Sequence, residues 1–401
     1  MLNNERIARK IDVRLAKVIG NLGSGKSETH NHGWGYSIFN SENHVSISIH
    51  LFGIAMFKKP TNYHQSANPG PSRLDLFGLR QTTWLAMVFF VGVSLILARR
   101  TLYTAPDDLS YIKYFEGTNF TILTDWWSYV LEEPLWSTYA SFMGEIFGAE
   151  TSLRITIFFS SLMFLVANNK LTRGAWIFIL FAFVIDSTLS TQMYYNQIRQ
   201  GFALSVFLMM VAGGLSPFLG AVVASTIHTS FIFVIPCAIA AVVARRSNIR
   251  LIAILLAVGL YVFYLNRIMG SIDFGRRSES YELKGKVNVF FYAATVLQNG
   301  LIFFLLKNKS SDDQQEFWFR FSLIFCTFAI CMTLIHAAAG RLMYIANALV
   351  AILLGLNLKR ERGKITAIVW FLLLFALLIN EGRKGGFGSD TWFGRWYLIL
   401  R

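Results

Sequence analysis

The sequence predicts an all-α fold, a polytopic transmembrane helical bundle of about 10–11 spans with one broken short-helix pair and an interfacial helix in the first external loop. Three observations predict it. Of 401 residues, 54% are apolar and 15% are charged, whereas soluble proteins carry roughly 25% charged residues. The apolar residues come in blocks of about 15–20, close to the length of helix that crosses a hydrocarbon core of ~30 Å. Short polar clusters rich in Lys and Arg separate the blocks, as they do at the cytoplasmic ends of spans. A soluble α/β chain would show apolar runs of about 4–8 residues instead.

Residues 1–80 differ from the remainder. They are polar and basic, rich in Asn, His, Ser and Gly, and are expected to form a poorly ordered cytoplasmic N-terminal region. Residues 81–401 then form the transmembrane domain. Val45–Met56 is too short to span, and no long apolar core of a cleavable signal peptide is present. Gly20–Ser27 (GNLGSGKS) fits the phosphate-cradling pattern G-x-x-x-x-G-K-S. Glu28–Gly33 after it is a poor helix, and too little chain precedes the first span for a nucleotide-binding sheet. The string is expected to be inert.

The apolar blocks follow at 83–98, 152–168, 174–190, 200–214, 217–228, 231–244, 250–265, 288–306, 317–335, 342–358 and 365–380. Residues 134–148 are apolar on one face, which predicts a helix lying at the membrane interface. Basic clusters at 168–173, 245–250, 307–309 and 359–364 mark cytoplasmic loops. Placing all four on one side requires an even number of crossings between them. Parity therefore splits 217–244 into two short helices at His228–Ser230. Broken helices occur in membranes where backbone lines a cavity or is buried in protein. The segments 99–150, 191–199, 228–230, 266–287 and 336–341 then face outward. Arg276 and Arg277 in the fourth of these run against the positive-inside trend: either the topology differs there, or the charges have a role and the two are candidate substrate-binding residues.

A net charge of +14 and a pI near 9.7 would point a soluble domain toward nucleic acid. Here Lys and Arg flanking the spans account for most of it, and no nucleic-acid partner is expected. The other reading is an attraction for an anionic lipid or a lipid-linked substrate. Cys237, Cys326 and Cys331 lie inside apolar blocks without metal-site or disulfide spacing. No metal and no cofactor are expected.

Arg199 and Arg341 each open an apolar helix. A helix N-terminus attracts anions through its unpaired N–H groups, and arginine adds a forked donor suited to phosphate. The alternative is an interfacial anchor that snorkels. His228 interrupts an apolar run and is either a satisfied structural histidine or a general base. His336 is a weaker candidate of the same kind. The first loop carries Asp107, Asp108 and Glu133 among Tyr111, Tyr114, Trp126, Trp127, Tyr129, Trp136 and Tyr139. Carboxylates bind sugar hydroxyls and aromatic faces stack on sugar rings. An interfacial aromatic belt with solvated charges is the other explanation.

The order of features is familiar: Asp107–Tyr111 after the first span, then Glu133–Trp136 (EPLW), Tyr195–Gly201 (YNQIRQG) opening a helix, His228–Ser230, and Arg341–Tyr344. Over roughly 83–380 this resembles the EpsG-like branch of the Wzy-type polysaccharide polymerases. The resemblance implies a glycosyltransferase of exopolysaccharide or O-antigen assembly, multi-pass in the bacterial inner (cytoplasmic) membrane. Such an enzyme joins oligosaccharide repeat units carried on undecaprenyl pyrophosphate at the external face, without a nucleotide sugar. Arg199 and Arg341 would hold the pyrophosphate. His228 would take the acceptor proton. Asp107, Asp108 and Glu133 would line the acceptor sugar site, with Tyr195, Gln200 and Tyr344 from the shared motifs beside the substrate. Its partners would be the lipid-linked oligosaccharide, membrane lipids, and export and chain-length proteins. Two rivals stand beside it. A transferase using a polyprenyl-phosphate monosaccharide would place a catalytic aspartate at Asp107 or Asp108. A transporter or acyltransferase would show paired broken helices or a second polar partner for the histidine.

Overall fold

The computed structural model describes residues 73–117, 133–244, 247–269, 289–306, 312–335, 340–385 and 392–401. Among them the chain is all-α, with no strand. Helix α1 (Arg73–Ala98) leads to the short α2 (Asp108–Phe115) and then to α3 (Pro134–Phe147) and α4 (Ala149–Leu171). After α5 (Trp176–Ile185) comes a π-helical turn, Gln192–Asn196, and α6 (Ile198–Ala212). Next are α7 (Pro217–Ser225), a 3₁₀ turn at Thr229–Phe233, α8 (Val234–Ala244) and α9 (Asn248–Met269). The remainder is α10 (Val289–Leu306), α11 (Asp313–Ile335), α12 (Gly340–Asn357), α13 (Glu361–Gly385) and α14 (Trp392–Leu400). Each predicted apolar block coincides with one of these elements, and the predicted interfacial segment is α3.

Among the described residues, four helices are long and apolar enough to cross a membrane: Ala149–Leu171, Asp313–Met332, Gly340–Asn357 and Glu361–Asn380. Two of the predicted blocks form shorter helices, for reasons the side chains supply. Block 174–190 stays helical only to Ile185. Asp186 Oδ1 there accepts from the Thr188 backbone N–H (2.8 Å) and hydroxyl (2.6 Å), a local turn that competes with the helix ladder. The break predicted near His228 is present. Helix α7 starts with Ser216 capping the Leu219 N–H and Pro217 in its first turn. The backbone then extends at His228 (φ −148°, ψ 122°) before the 3₁₀ turn.

Helix α4 is the central post. Ser152, Thr156 and Ser160 recur at four-residue spacing, are fully buried, and the hydroxyls of Thr156 and Ser160 bond back to the carbonyls of Ser152 and Thr156. Such small side chains let neighbouring helices approach closely in a membrane. Helix α3 buries Trp136 and Ala140 on one side and exposes Leu135, Phe142, Ile146 and Phe147 on the other.

The bundle has two chemically different ends. At one, Arg173 pairs with Asp312 (2.5 Å), and Gln315 donates to the Leu356 carbonyl (2.9 Å). Arg320 also donates there to the carbonyls of Ala244 and Ser247. These bonds gather the chain near the predicted cytoplasmic clusters 168–173, 245–250 and 359–364. The other end, where α6 and α12 begin, holds the polar residues described next. Helix α12 alone separates the two ends by about 27 Å at 1.5 Å per residue over its 18 residues.

Candidate functional site at the α6 and α12 helix starts

The π-helical turn delivers the chain to the start of α6, and its two tyrosines and asparagine fix it there. Tyr194 Oη shares a hydrogen bond with Ser205 (2.9 Å). Tyr195 donates to Thr104 Oγ1 (2.8 Å), and the Asn196 carbonyl accepts from Tyr111 (3.3 Å). Gly201 lets the helix pass beneath the turn: a Cβ there would meet the Met193 carbonyl oxygen at 2.6 Å. Gln200 Nε2 then donates to the backbone carbonyl of Arg341 (2.7 Å). The first turns of α6 and α12 are thereby tied together, and each carries an arginine as its second residue.

Arg199 is paired with Glu133, its Nη1 lying 2.5 Å from Oε2. Its guanidinium stands 5.0 Å from the Tyr114 ring centroid and 6.0 Å from that of Tyr111. Burial pushes the Tyr111 phenol up to about 12, against the pull of the Arg199 cation and a weaker pull from Arg341. Both arginines thus act on the same phenol. The second oxygen of Glu133 accepts from the Thr229 backbone N–H (3.0 Å) and faces its hydroxyl at 3.4 Å. One carboxylate therefore joins the α6 entrance to the helix break. Glu133 itself has φ 59° and ψ 65° directly before Pro134. The left-handed region is disfavoured for a residue with a Cβ, and proline restricts the residue before it.

His228 lies at the same place, with Nδ1 4.0 Å from Glu133 Oε1. That nitrogen accepts from the Ser230 backbone N–H (3.2 Å) and shares a bond with the Ser230 hydroxyl (2.8 Å). Geometry of this kind assigns the neutral ring's proton to Nε2. A base at Nδ1 would have to surrender the cap. In the neutral imidazole the donor is then Nε2.

Asp108 is also placed differently from expectation. It is fully buried in a two-bond ion pair with Arg100, itself fully buried, and accepts from the Ala105 N–H (3.2 Å). Arg100 lies over the Tyr195 ring at 4.7 Å. Asp108 and Tyr195 therefore hold the α1–α2 corner against the π-helical turn and present no open face to a sugar. Trp136 and Tyr111 are core residues as well. Trp136 packs among Tyr111, Tyr114, Phe115, Tyr139 and Phe202. Asp107 remains half-buried before α2, and Tyr344 is half-buried one turn beyond Arg341. Arg276, Arg277, His336, Trp126, Trp127, Tyr129 and the Gly20–Ser27 string lie outside the described residues.

Tyr114, one of the first-loop aromatics, faces Arg199. Some site residues gave no earlier signal: Thr229 holds Glu133, and Asn347 Nδ2 donates to Thr188 Oγ1 (3.0 Å), linking α12 to Asp186. Four buried polar atoms around the α6 start have no hydrogen-bond partner: Asn196 Oδ1, Gln197 Oε1, Arg199 Nε and Gln200 Oε1. Buried polar atoms are normally satisfied, so this concentration marks a place built for polar company. Among the described residues no group of three or more His, Cys, Asp or Glu side chains is placed to hold a metal.

A helical bundle with four helices, among the described residues, long and apolar enough to cross a membrane is that of a membrane protein. The chain belongs to the EpsG family, whose model matches residues 83–380. It is thereby a membrane protein of polysaccharide biosynthesis. Neither the characterised proteins nor the solved structures compared with it contain a match.

Proposed function

We propose that the protein is a polysaccharide polymerase of the bacterial inner membrane, transferring a growing glycan from undecaprenyl pyrophosphate to the next lipid-linked repeat unit on the external face. One observation carries the reading: Gln200 ties together two helix starts, each opening with an arginine. Two forked cations, each at a helix N-terminus, suit a ligand with two phosphates. Pyrophosphate is such a ligand, and it is the leaving group that the reaction must stabilise.

In this reading Arg199 and Arg341 take the charge that develops as the bond to the anomeric carbon breaks. Glu133 and the half-buried Asp107 stand on the acceptor side. His228 donates from Nε2 to a sugar or phosphate oxygen. The rival single-sugar transferase needs an accessible first-loop aspartate. Asp108 is sealed against Arg100, so that rival rests on Asp107 alone. Export and chain-length proteins remain expected partners.

The test uses purified protein in lipid nanodiscs with an undecaprenyl-pyrophosphate oligosaccharide. A ladder of products lengthening by whole repeat units is the expected result. Addition of one monosaccharide only, or no transfer alongside unchanged polymer in a deletion strain, would overturn it.

A further inference from the structure

We infer that Glu133 is the proton acceptor for the attacking sugar hydroxyl, and that Arg199 masks it until pyrophosphate binds. This rests on the polymerase reading and goes one step deeper into its site. Four features lead here. Glu133 is the carboxylate shared by the α6 entrance and the helix break, with one oxygen on Arg199 and the other on the Thr229 N–H. Its backbone is held in a left-handed conformation before Pro134. Strain of that kind persists where surroundings impose it, and it gathers at functional sites. His228 has its basic nitrogen committed to Ser230. Asp108 is sealed by Arg100.

The pairing gives Glu133 two states. With the site empty, Arg199 occupies one oxygen of the carboxylate and keeps it from an acceptor hydroxyl. Arg199 is still reachable, its side chain 23% exposed, and its Nε has no partner. A pyrophosphate carries more charge than one carboxylate and presents oxygens for both arms of the guanidinium fork. When it takes Arg199, Glu133 loses its counter-cation, remains oriented by Thr229, and presents the freed oxygen to the acceptor hydroxyl. The acceptor oxygen then attacks the anomeric carbon while its proton passes to the Glu133 carboxylate. The bond from that carbon to the pyrophosphate oxygen breaks, and its electron pair leaves with the pyrophosphate. The proton is released to water and the pair with Arg199 re-forms. The donor's own leaving group thus arms the base.

The experiment measures inorganic pyrophosphate binding by calorimetry beside polymer formation, using the full chain in nanodiscs. Glu133→Gln removes the competing charge, so pyrophosphate should bind severalfold tighter while turnover falls by about 10²–10⁴-fold, the usual share of a general base. Glu133→Ala should bind pyrophosphate, lose turnover, and regain part of it in formate, which supplies a carboxylate. Near-normal turnover in Glu133→Gln overturns the inference. So does a parallel loss of binding and turnover with no rescue by formate, which marks a purely structural carboxylate. Wild-type protein that neither binds pyrophosphate nor polymerises overturns the polymerase reading as well. Failure of the variants alone leaves that reading standing.

Discussion

The side-chain amide of Gln200 donates to the backbone carbonyl of Arg341 across 141 positions of sequence. That bond sets the relative height of two helix starts, and with it the separation of the two arginines. Gln200→Leu should leave both arginines in place and loosen their spacing. One neutral hydrogen bond contributes about 0.5–1.5 kcal/mol, so pyrophosphate affinity should fall roughly twofold to tenfold. Calorimetry on the purified variant checks this, and unchanged affinity would show that the helices hold their spacing without the bond.

At the arginines themselves, charge alone should not suffice. Arg199→Lys and Arg341→Lys keep the cation and lose the planar fork. Charge-assisted bonds are worth about 1.5–3 kcal/mol each, or roughly tenfold to a hundredfold in rate when felt in the transition state. If both lysine variants turn over normally, the two arginines are interfacial anchors.

Gly201 makes a prediction about packing. Gly201→Ala would drive a methyl group against the Met193 carbonyl, which is backbone and part of the π-helical turn. Overpacking of this kind costs about 1–3 kcal/mol. The variant should show a lower unfolding temperature in detergent together with reduced turnover. Gly92→Ala, where nothing lies within 4 Å, should leave the unfolding temperature the same or slightly higher.

Orientation is open to labelling in intact cells. Tyr103 is exposed and bonded to Glu150 at the end that begins α4; Glu361 is exposed at the opposite end. A membrane-impermeant thiol reagent should modify Tyr103→Cys and spare Glu361→Cys. The reverse pattern would invert the assigned topology and move the proposed site to the cytoplasm.

Asp108→Asn separates the two enzyme readings. It leaves Arg100 buried without its countercharge, and breaking a buried pair from one side costs about 3–5 kcal/mol. Protein level in the membrane should drop steeply, with activity per molecule less affected. A stable, well-inserted but inactive Asp108→Asn protein would restore the aspartate-dependent single-sugar transferase.

Much of the helical order was legible from apolar block length and from Lys and Arg parity. Parity alone located the break at His228, because an odd number of crossings could not place Arg173 and Arg245 on one side. The early end of α5 was not legible: it depends on Asp186 turning its carboxylate onto Thr188 rather than on hydrophobicity. The site was legible in part. Arg199 and Arg341 stood out as cations at helix starts, and they do lie at one end of the bundle. The role of Asp108 was hidden because Arg100 reads as an ordinary flanking charge, and only the turn between them brings the two side chains together. The hydrogen bonding of His228 was equally out of reach, since it is set by the backbone N–H and hydroxyl of Ser230, which the 3₁₀ turn brings onto the ring.

The Arg100–Asp108 pair also constrains how this chain can change over generations. Losing either partner strands the other charge in a dry interior, while losing both in favour of apolar residues of similar volume is often neutral or stabilising. The path between those two viable states runs through a poorly folded intermediate. Descendants should therefore carry both residues or neither, and a lineage that has once crossed to the apolar state would find the return equally steep. The corner that steadies the site is in that sense inherited as a unit, whatever sugars the site comes to handle.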